Sequence, residues 1–339
     1  MSRLAPQMEE YDAWGSRLVW KPYVMFFQPA DLHTASCNTD SKGFRVSVDA
    51  KGTVARVDES EGHDCSLVFG NSVAFSVGAR SDAATLSARL SHQTGDTWLN
   101  FAGRAFSSSQ EFLTFVYHRH LVGRVKRVVL FSGSNDLYLY YSPKTFDESL
   151  GVFFFSRFFE ERMRQPAELK WAQRVWKAAV PSRLARRRGR ETDLDALIAE
   201  RKPGREQAIG IVCRNLVYWK ALTDGLGIEL VYALQPIRSW VNKPVTDEEA
   251  ELTREQRETP TEWNEILNKV MDQDHYHWFA DRLGRHCADL SIRFIDMSRE
   301  ISAHSRRNEW LFIDHLHLTD AGYDVCADIL ASSFSRTAA

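Results

Sequence analysis

The stretch Lys126-Arg127-Val128-Val129-Leu130-Phe131-Ser132-Gly133-Ser134-Asn135-Asp136 decides the fold. Its apolar run, rich in β-branched and aromatic residues, ends abruptly in Gly-Ser-Asn-Asp, a turn sequence. Residues 126–133 therefore read as a strand buried on both faces. The pattern repeats on either side. Residues 66–72, SLVFGNS, are a second apolar run entering a turn, and 97–103, TWLNFAG, a third. Ala84, Leu86, Ala88 and Leu90 predict a helix over 80–92. Phe112, Phe115 and Val116 predict another over 109–122. Downstream, a helical segment 205–224 precedes a strand at 228–235, and a helical segment 262–289 precedes a strand at 292–297. A last helix is expected over 319–333, with Thr319 as its N-cap and Asp320 in its first turn, where the helix dipole favours an anion.

Strands alternating with helices imply an α/β architecture: a doubly wound, mainly parallel five-stranded sheet flanked by helices and joined by right-handed crossovers. Two kinds of segment fall outside it. Residues 1–64 read as an N-terminal cap with short strands, such as GFRVSVD at 43–49, packed on a main domain of 65–335. That domain carries insertions at 138–203 and 237–262. The first insertion opens aromatic (VFFFSRFF, 152–159), which reads as core of the insertion more readily than as a lid. It continues through Leu169, Ala172 and Trp176 to five arginines within 183–190, read as a solvated charged loop or, alternatively, as a contact for anionic lipid, phosphate or a polyanionic glycan. The second is charged and reads as a surface loop.

Composition narrows the class. The chain has 339 residues, 44% hydrophobic and 26% charged, the balance of a folded globular protein. Its 43 basic and 45 acidic side chains give a net charge of -2, which offers no general affinity for nucleic acid. No apolar run reaches the eighteen or so residues of a membrane span, and the first residues lack the apolar stretch of a secretory signal. Five scattered cysteines, an odd number without a C-x-x-C pair, argue against a disulfide framework or a structural zinc site. Cytoplasm is the expected location.

Ligands of a doubly wound sheet bind at the carboxyl ends of its strands. The residues there are Gly70-Asn71-Ser72, Gly103, Gly133-Ser134-Asn135-Asp136 and, before the last helix, Asp314-His315-Leu316-His317. Each type has a part in acyl transfer. A serine hydroxyl attacks once a base removes its proton, a histidine is that base near neutral pH, and an aspartate fixes its tautomer. The amides of Ser72 and Gly103 and the side-chain NH2 of Asn135 would supply donors to a developing oxyanion. Asp136 reads as a structural residue of its loop. The alternating pairs His315/His317, His275/His277 and His118/His120 lack a third ligand at recognisable spacing, so no metal is expected, and no other cofactor is required.

The order Gly-x-Ser, Gly, Gly-x-Asn-Asp, Asp-x-x-His resembles the four sequence blocks of SGNH hydrolases, the GDSL-type esterases and lipases. Here the blocks are FGNS (69–72), Gly103 in NFAG, GSND (133–136) and DHLH (314–317), followed by LTDAGY. The segment Asn38-Thr39-Asp40-Ser41-Lys42-Gly43-Phe44-Arg45 also resembles a leader found before the first block in bacterial SGNH proteins of glycan-related gene neighbourhoods. The resemblance implies a flavodoxin-like sheet and a catalytic domain over 65–335. It implies Ser72 as nucleophile, His317 as base, Asp314 as the orienting carboxylate, and an oxyanion hole of Ser72, Gly103 and Asn135. One position departs from the pattern: Asn71 stands where Asp is usual.

The expected activity is that of a serine esterase removing an O-acyl group, O-acetyl foremost, from a carbohydrate or related small ester. Two alternatives keep the fold. The same acyl-enzyme passes its acyl group to a sugar hydroxyl, or the chain is a silent glycan- or partner-binding module. The oligomeric state and any peripheral contact with a membrane are left open by the sequence.

Overall fold

A computed structural model describes residues 3–14, 18–142, 145–154, 193–258 and 262–335. The aromatic run beyond Phe154, the Leu169–Trp176 stretch and the arginine cluster lie outside the described residues.

The centre is a five-stranded parallel sheet. We number its strands β1 (Cys65–Gly70), β2 (Trp98–Asn100), β3 (Val125–Ser132), β4 (Glu229–Leu234) and β5 (Arg293–Asp296). Their spatial order is β2-β1-β3-β4-β5, the flavodoxin-like 2-1-3-4-5 arrangement. The α/β expectation is therefore met. β3 is the spine: Leu130 faces Phe69 of β1 and Tyr232 of β4 in register. Val128 to Ser132 are all buried, as a strand covered by helices on both faces requires.

The chain adds β2 on one side of β1 and then β3, β4 and β5 on the other, so the direction of winding, though not of the parallel strands, reverses at the β1/β3 boundary. The loops after β1 and β3 part there and leave a crevice. Ser72 follows β1 and Asn135 follows β3. Gly70 makes the exit from β1 feasible. Its φ is +148°, and a Cβ there would lie 2.1 Å from the Phe131 carbonyl oxygen and 2.5 Å from Ala74 Cβ.

Local chemistry sets where elements start and stop. The helix expected from residue 80 begins at Leu86, because the Thr85 side chain accepts the Ala88 amide as its N-cap. The strand expected over 97–103 is only Trp98–Asn100. Asn100 turns its side chain onto the Ala74 carbonyl and the Ala102 amide, which takes the chain out of the ladder. The helical segment 262–289 is two helices, Glu262–Val270 and Gln273–Asp289, divided where Asp272 caps the second by accepting the His275 amide. Thr319 caps the last helix, Asp320–Ser335, through the Gly322 amide.

The segment 237–262, expected as a surface loop, is built differently. It holds a short 3-10 turn at Arg238–Trp240 and an α-helix, Asp247–Glu258, that turns Glu249 into the interior. In the N-terminal region the short strands pair as Val19–Lys21 with Met25–Phe27 and Ser47–Val48 with Val54–Ala55. Ala5, Met8, Tyr11, Phe26, Phe27 and Phe44 from this region join one hydrophobic core with the sheet. No described helix is long and apolar enough to cross a membrane.

Candidate active site

Three side chains from opposite ends of the chain form one hydrogen-bonded row. His317 Nε2 lies 2.8 Å from Ser72 Oγ, and His317 Nδ1 lies 2.6 Å from Asp314 Oδ2. The Asp314–His317 strap is a tight loop. It is closed by a bridge between Phe312 and Leu318 and by hydrogen bonds from the Ile313 amide to the His317 carbonyl and from the Thr319 amide to the Leu311 carbonyl. Within it, Asp314 Oδ1 accepts the amides of Leu316 and His317, both at 2.7 Å. Burial alone would raise the Asp314 carboxyl. The facing His317 and these hydrogen bonds outweigh it and hold the group well below the usual carboxylate range, so it is an anion across the neutral range.

The strap rests on the segment 237–258. Glu249 Oε1 accepts the Leu311 and Phe312 amides at 3.1 and 3.2 Å, while its Oε2 pairs with Lys243 Nζ at 2.6 Å. Both charged side chains are buried, with 1% and 3% exposure. The Arg238 amide also donates to the His315 carbonyl, and His315 lines a separate small pocket with Ile237, Leu267 and Met271. Sequence reading missed this support, because it rests on one carboxylate in a densely charged helix, on the face that also buries Leu252.

The serine sits in a compact turn after β1. The Phe75 amide donates to the Asn71 carbonyl, Ser76 to Val73 and Val77 to Ser72, each at 2.9 Å. Asn71 is fully buried and fully used. Its Oδ1 accepts the Val73 amide, and its Nδ2 donates to Gln235 Oε1 and Ser134 Oγ. The residue that departs from the family pattern thus ties the serine turn to the ends of β3 and β4.

The expected oxyanion donors divide. Asn135 is buried beneath the site, and one of its side-chain N–H bonds goes to the Phe106 carbonyl at 2.7 Å. The Gly103 amide departs from expectation: it donates to the Gly70 carbonyl at 3.0 Å, joining the exits of β2 and β1. Gly103 is a glycine here because a Cβ would meet the Phe106 ring at 2.4 Å. Asp136 holds the same region together by accepting the Ser108 amide and hydroxyl, at 2.9 and 2.7 Å. Burial raises its carboxyl to about 6 against those hydrogen bonds, and burial, with Asp136 second, lifts neighbouring Glu111 well above its usual value.

Ser72 and His317 open into a cavity of about 220 Å³. Its apolar walls include Leu18, Phe26, Phe154 and Leu316, and Arg104 and Tyr138 supply polar groups. Sequence reading missed these last two, although Tyr138 is three residues beyond Asn135 on the helix Ser134–Tyr140, where i and i+3 share a face. A wider groove of about 790 Å³ along β5 shares no lining residue with this cavity. His118 and His275 are helical, and His275 Nδ1 faces Asp272. Among the described residues no three His, Cys, Asp or Glu side chains gather as metal ligands.

No protein-family model and no curated protein matches the chain. Solved structures do. A GDSL-like lipase from Bacteroides thetaiotaomicron aligns over 80% of this chain and 87% of its own, at 12% identity and a TM-score of 0.38. An acetyl xylan esterase aligns over 79% and 98%, at 12% identity and 0.37. A lipase/acylhydrolase from Enterococcus faecalis aligns over 79% and 94%, at 13% identity and 0.35.

Proposed function

We propose that the protein is a serine esterase of the SGNH type. The observation that carries this reading is the continuous row Ser72–His317–Asp314 at hydrogen-bond distances on the rim of a small cavity. Ser72 Oγ attacks the ester carbonyl while His317 Nε2 takes its proton. The alkoxide that leaves from the tetrahedral intermediate takes that proton back as the free alcohol. Water, deprotonated by the same nitrogen, then cleaves the acyl-enzyme and restores Ser72. Asp314 keeps the Nδ1 proton in place, so that Nε2 presents its lone pair to the serine, and it stabilises the imidazolium.

The oxyanion is received by the Ser72 amide and by the second side-chain N–H of Asn135. Gly103 contributes by locking the exits of β1 and β2 together, since its own amide is engaged. The acyl group is short. About 220 Å³ is smaller than the pockets that take drug-sized ligands, and it is walled by Leu18, Phe26 and Phe154. The preferred substrate is an O-acetyl or similarly small O-acyl group on a carbohydrate. The sugar half of that reading rests on the resemblance of Asn38–Arg45 to the leader of glycan-associated relatives.

The test is a panel of p-nitrophenyl esters from acetate to octanoate, together with acetylated sugars, run on wild type and Ser72→Ala. Turnover is expected to fall steeply with chain length. Loss of Ser72 should remove several orders of magnitude, as loss of a triad nucleophile does elsewhere. Full turnover in the purified mutant ends the reading. Donor consumption that rises with added sugar acceptor indicates transfer in place of hydrolysis, and folded wild type that takes no fluorophosphonate on Ser72 indicates a binding module.

A further inference from the structure

The leader Asn38–Arg45 lends no residue to the lining of the cavity, yet three of its side chains, Asn38, Asp40 and Arg45, build one arrangement. Asp40 folds the segment on itself: Oδ1 accepts the Lys42 and Phe44 amides and Oδ2 the Val57 and Asp58 amides. Asn38 donates to Asp82. The result delivers the Arg45 side chain, with no exposed surface, to the underside of the serine turn.

There one Nη1 donates to the carbonyls of Phe75 and Ser76 at 3.0 and 2.8 Å. Nη2 donates to the Ser36 carbonyl at 2.7 Å, and Nε to Asp82 at 3.2 Å. The rings of Tyr11 and Phe75 lie against the guanidinium, 5.6 and 5.3 Å from its carbon. The Tyr11 hydroxyl reaches the Ala79 carbonyl at 2.9 Å.

The turn that Arg45 closes runs from Ser72 at its amide end to Ser76 at its carbonyl end. Ser76 stops it by adopting φ +67°, uncommon for a non-glycine residue. Such a conformation persists only where its surroundings over-determine it. Here Arg45 takes its carbonyl, and the Leu86 amide donates to its hydroxyl.

We infer that Arg45 is a positioning residue for the nucleophile: by fixing the Phe75 and Ser76 carbonyls it sets the aim of the Ser72 hydroxyl at His317 and of the Ser72 amide at the oxyanion. This rests on the esterase reading above. The test compares wild type, Arg45→Lys and Asp82→Asn as full-length protein. It measures kcat and KM on p-nitrophenyl acetate, the rate of fluorophosphonate uptake on Ser72, and folding by circular dichroism. Arg45→Lys keeps the charge and loses the fork. It is expected to lower kcat and the labelling rate together by about tenfold to hundredfold, the scale of a small misplacement of reacting atoms, with KM within about threefold. Asp82→Asn leaves the guanidinium in place with a weaker tether. It should lose less in the same direction, and it carries the test where the Arg45 variant does not fold. Folded variants with wild-type kcat and labelling overturn the assignment and leave the esterase reading standing. Wild type that shows neither turnover nor labelling overturns both.

Discussion

Asp314→Asn probes the site with the smallest change of shape. Asp314 Oδ1 holds the amides of Leu316 and His317, and Oδ2 faces His317 Nδ1. An asparagine oriented to keep the two amides on its carbonyl oxygen turns its NH2 toward Nδ1. That nitrogen must then accept, the ring proton moves to Nε2, and Nε2 can no longer take the proton of Ser72. The lost charge adds to this. With an effective dielectric of about 20, opposite charges about 4 Å apart attract by about 4 kcal/mol, and at the 2.6 Å contact by about 6 kcal/mol. At 1.36 kcal/mol per decade this is roughly three to five orders of magnitude in turnover. The same change in a serine protease triad lowers kcat by about 10⁴. Turnover of p-nitrophenyl acetate by Asp314→Asn at neutral pH, normalised to folded protein, is the measurement. Activity within tenfold of wild type would refute the claim that His317 acts through this carboxylate.

Three further outcomes are expected. Asn135→Ala should lower kcat by about a hundredfold to a thousandfold with little change in KM, the loss of one oxyanion donor, and steady-state kinetics on the acetate ester decide it. Asn71→Asp should keep activity within about tenfold, because Gln235, whose Nε2 meets no partner among the described residues, can turn its amide to meet a carboxylate; its melting temperature should fall more at pH 8 than at pH 5, since a fully buried carboxylate resists ionising. Asp136 has a folded value of about 6 against about 3.9 in an unfolded chain, so its contribution is present below pH 4 and lost as pH rises through 6. The stability of wild type, followed by denaturation, should decline more steeply between pH 4 and pH 6 than that of Asp136→Asn, by on the order of 3 kcal/mol, the buried Glu111 contributing to both; equal slopes for the two proteins would contradict the buried ionisation.

The sheet was legible because β1 and β3 are continuous apolar runs that end at Gly70 and Gly133, and strand ends are where a doubly wound fold gathers polar residues. That rule led to Ser72, Asn135, Asp314 and His317 from sequence. The limits have equally physical causes. The Gly103 amide is spoken for by a carbonyl 33 positions earlier, a pairing no local pattern encodes. Glu249 lies in DEEAELTREQRE, where charge density suggests solvent on every side, and its burial depends on a lysine and on two amides more than sixty residues away. Arg45 was seen as part of a motif, yet its purpose needed the carbonyls of a turn thirty residues downstream.

The Lys243–Glu249 pair governs how this protein can be re-engineered. Shortening 237–258 or exchanging only part of it, as though it were an ordinary surface excursion, so that Lys243 is lost and Glu249 kept or the reverse, would strand one charge, a defect of about 3–5 kcal/mol where an ion pair is buried. It would also withdraw the floor under the histidine strap. Any graft must carry both residues as a unit. The exposed tip at 147–150 is held by surface hydrogen bonds from Ser109 and Arg214 and by no buried ion pair among the described residues, and it is the better place to splice a tag or a fused domain.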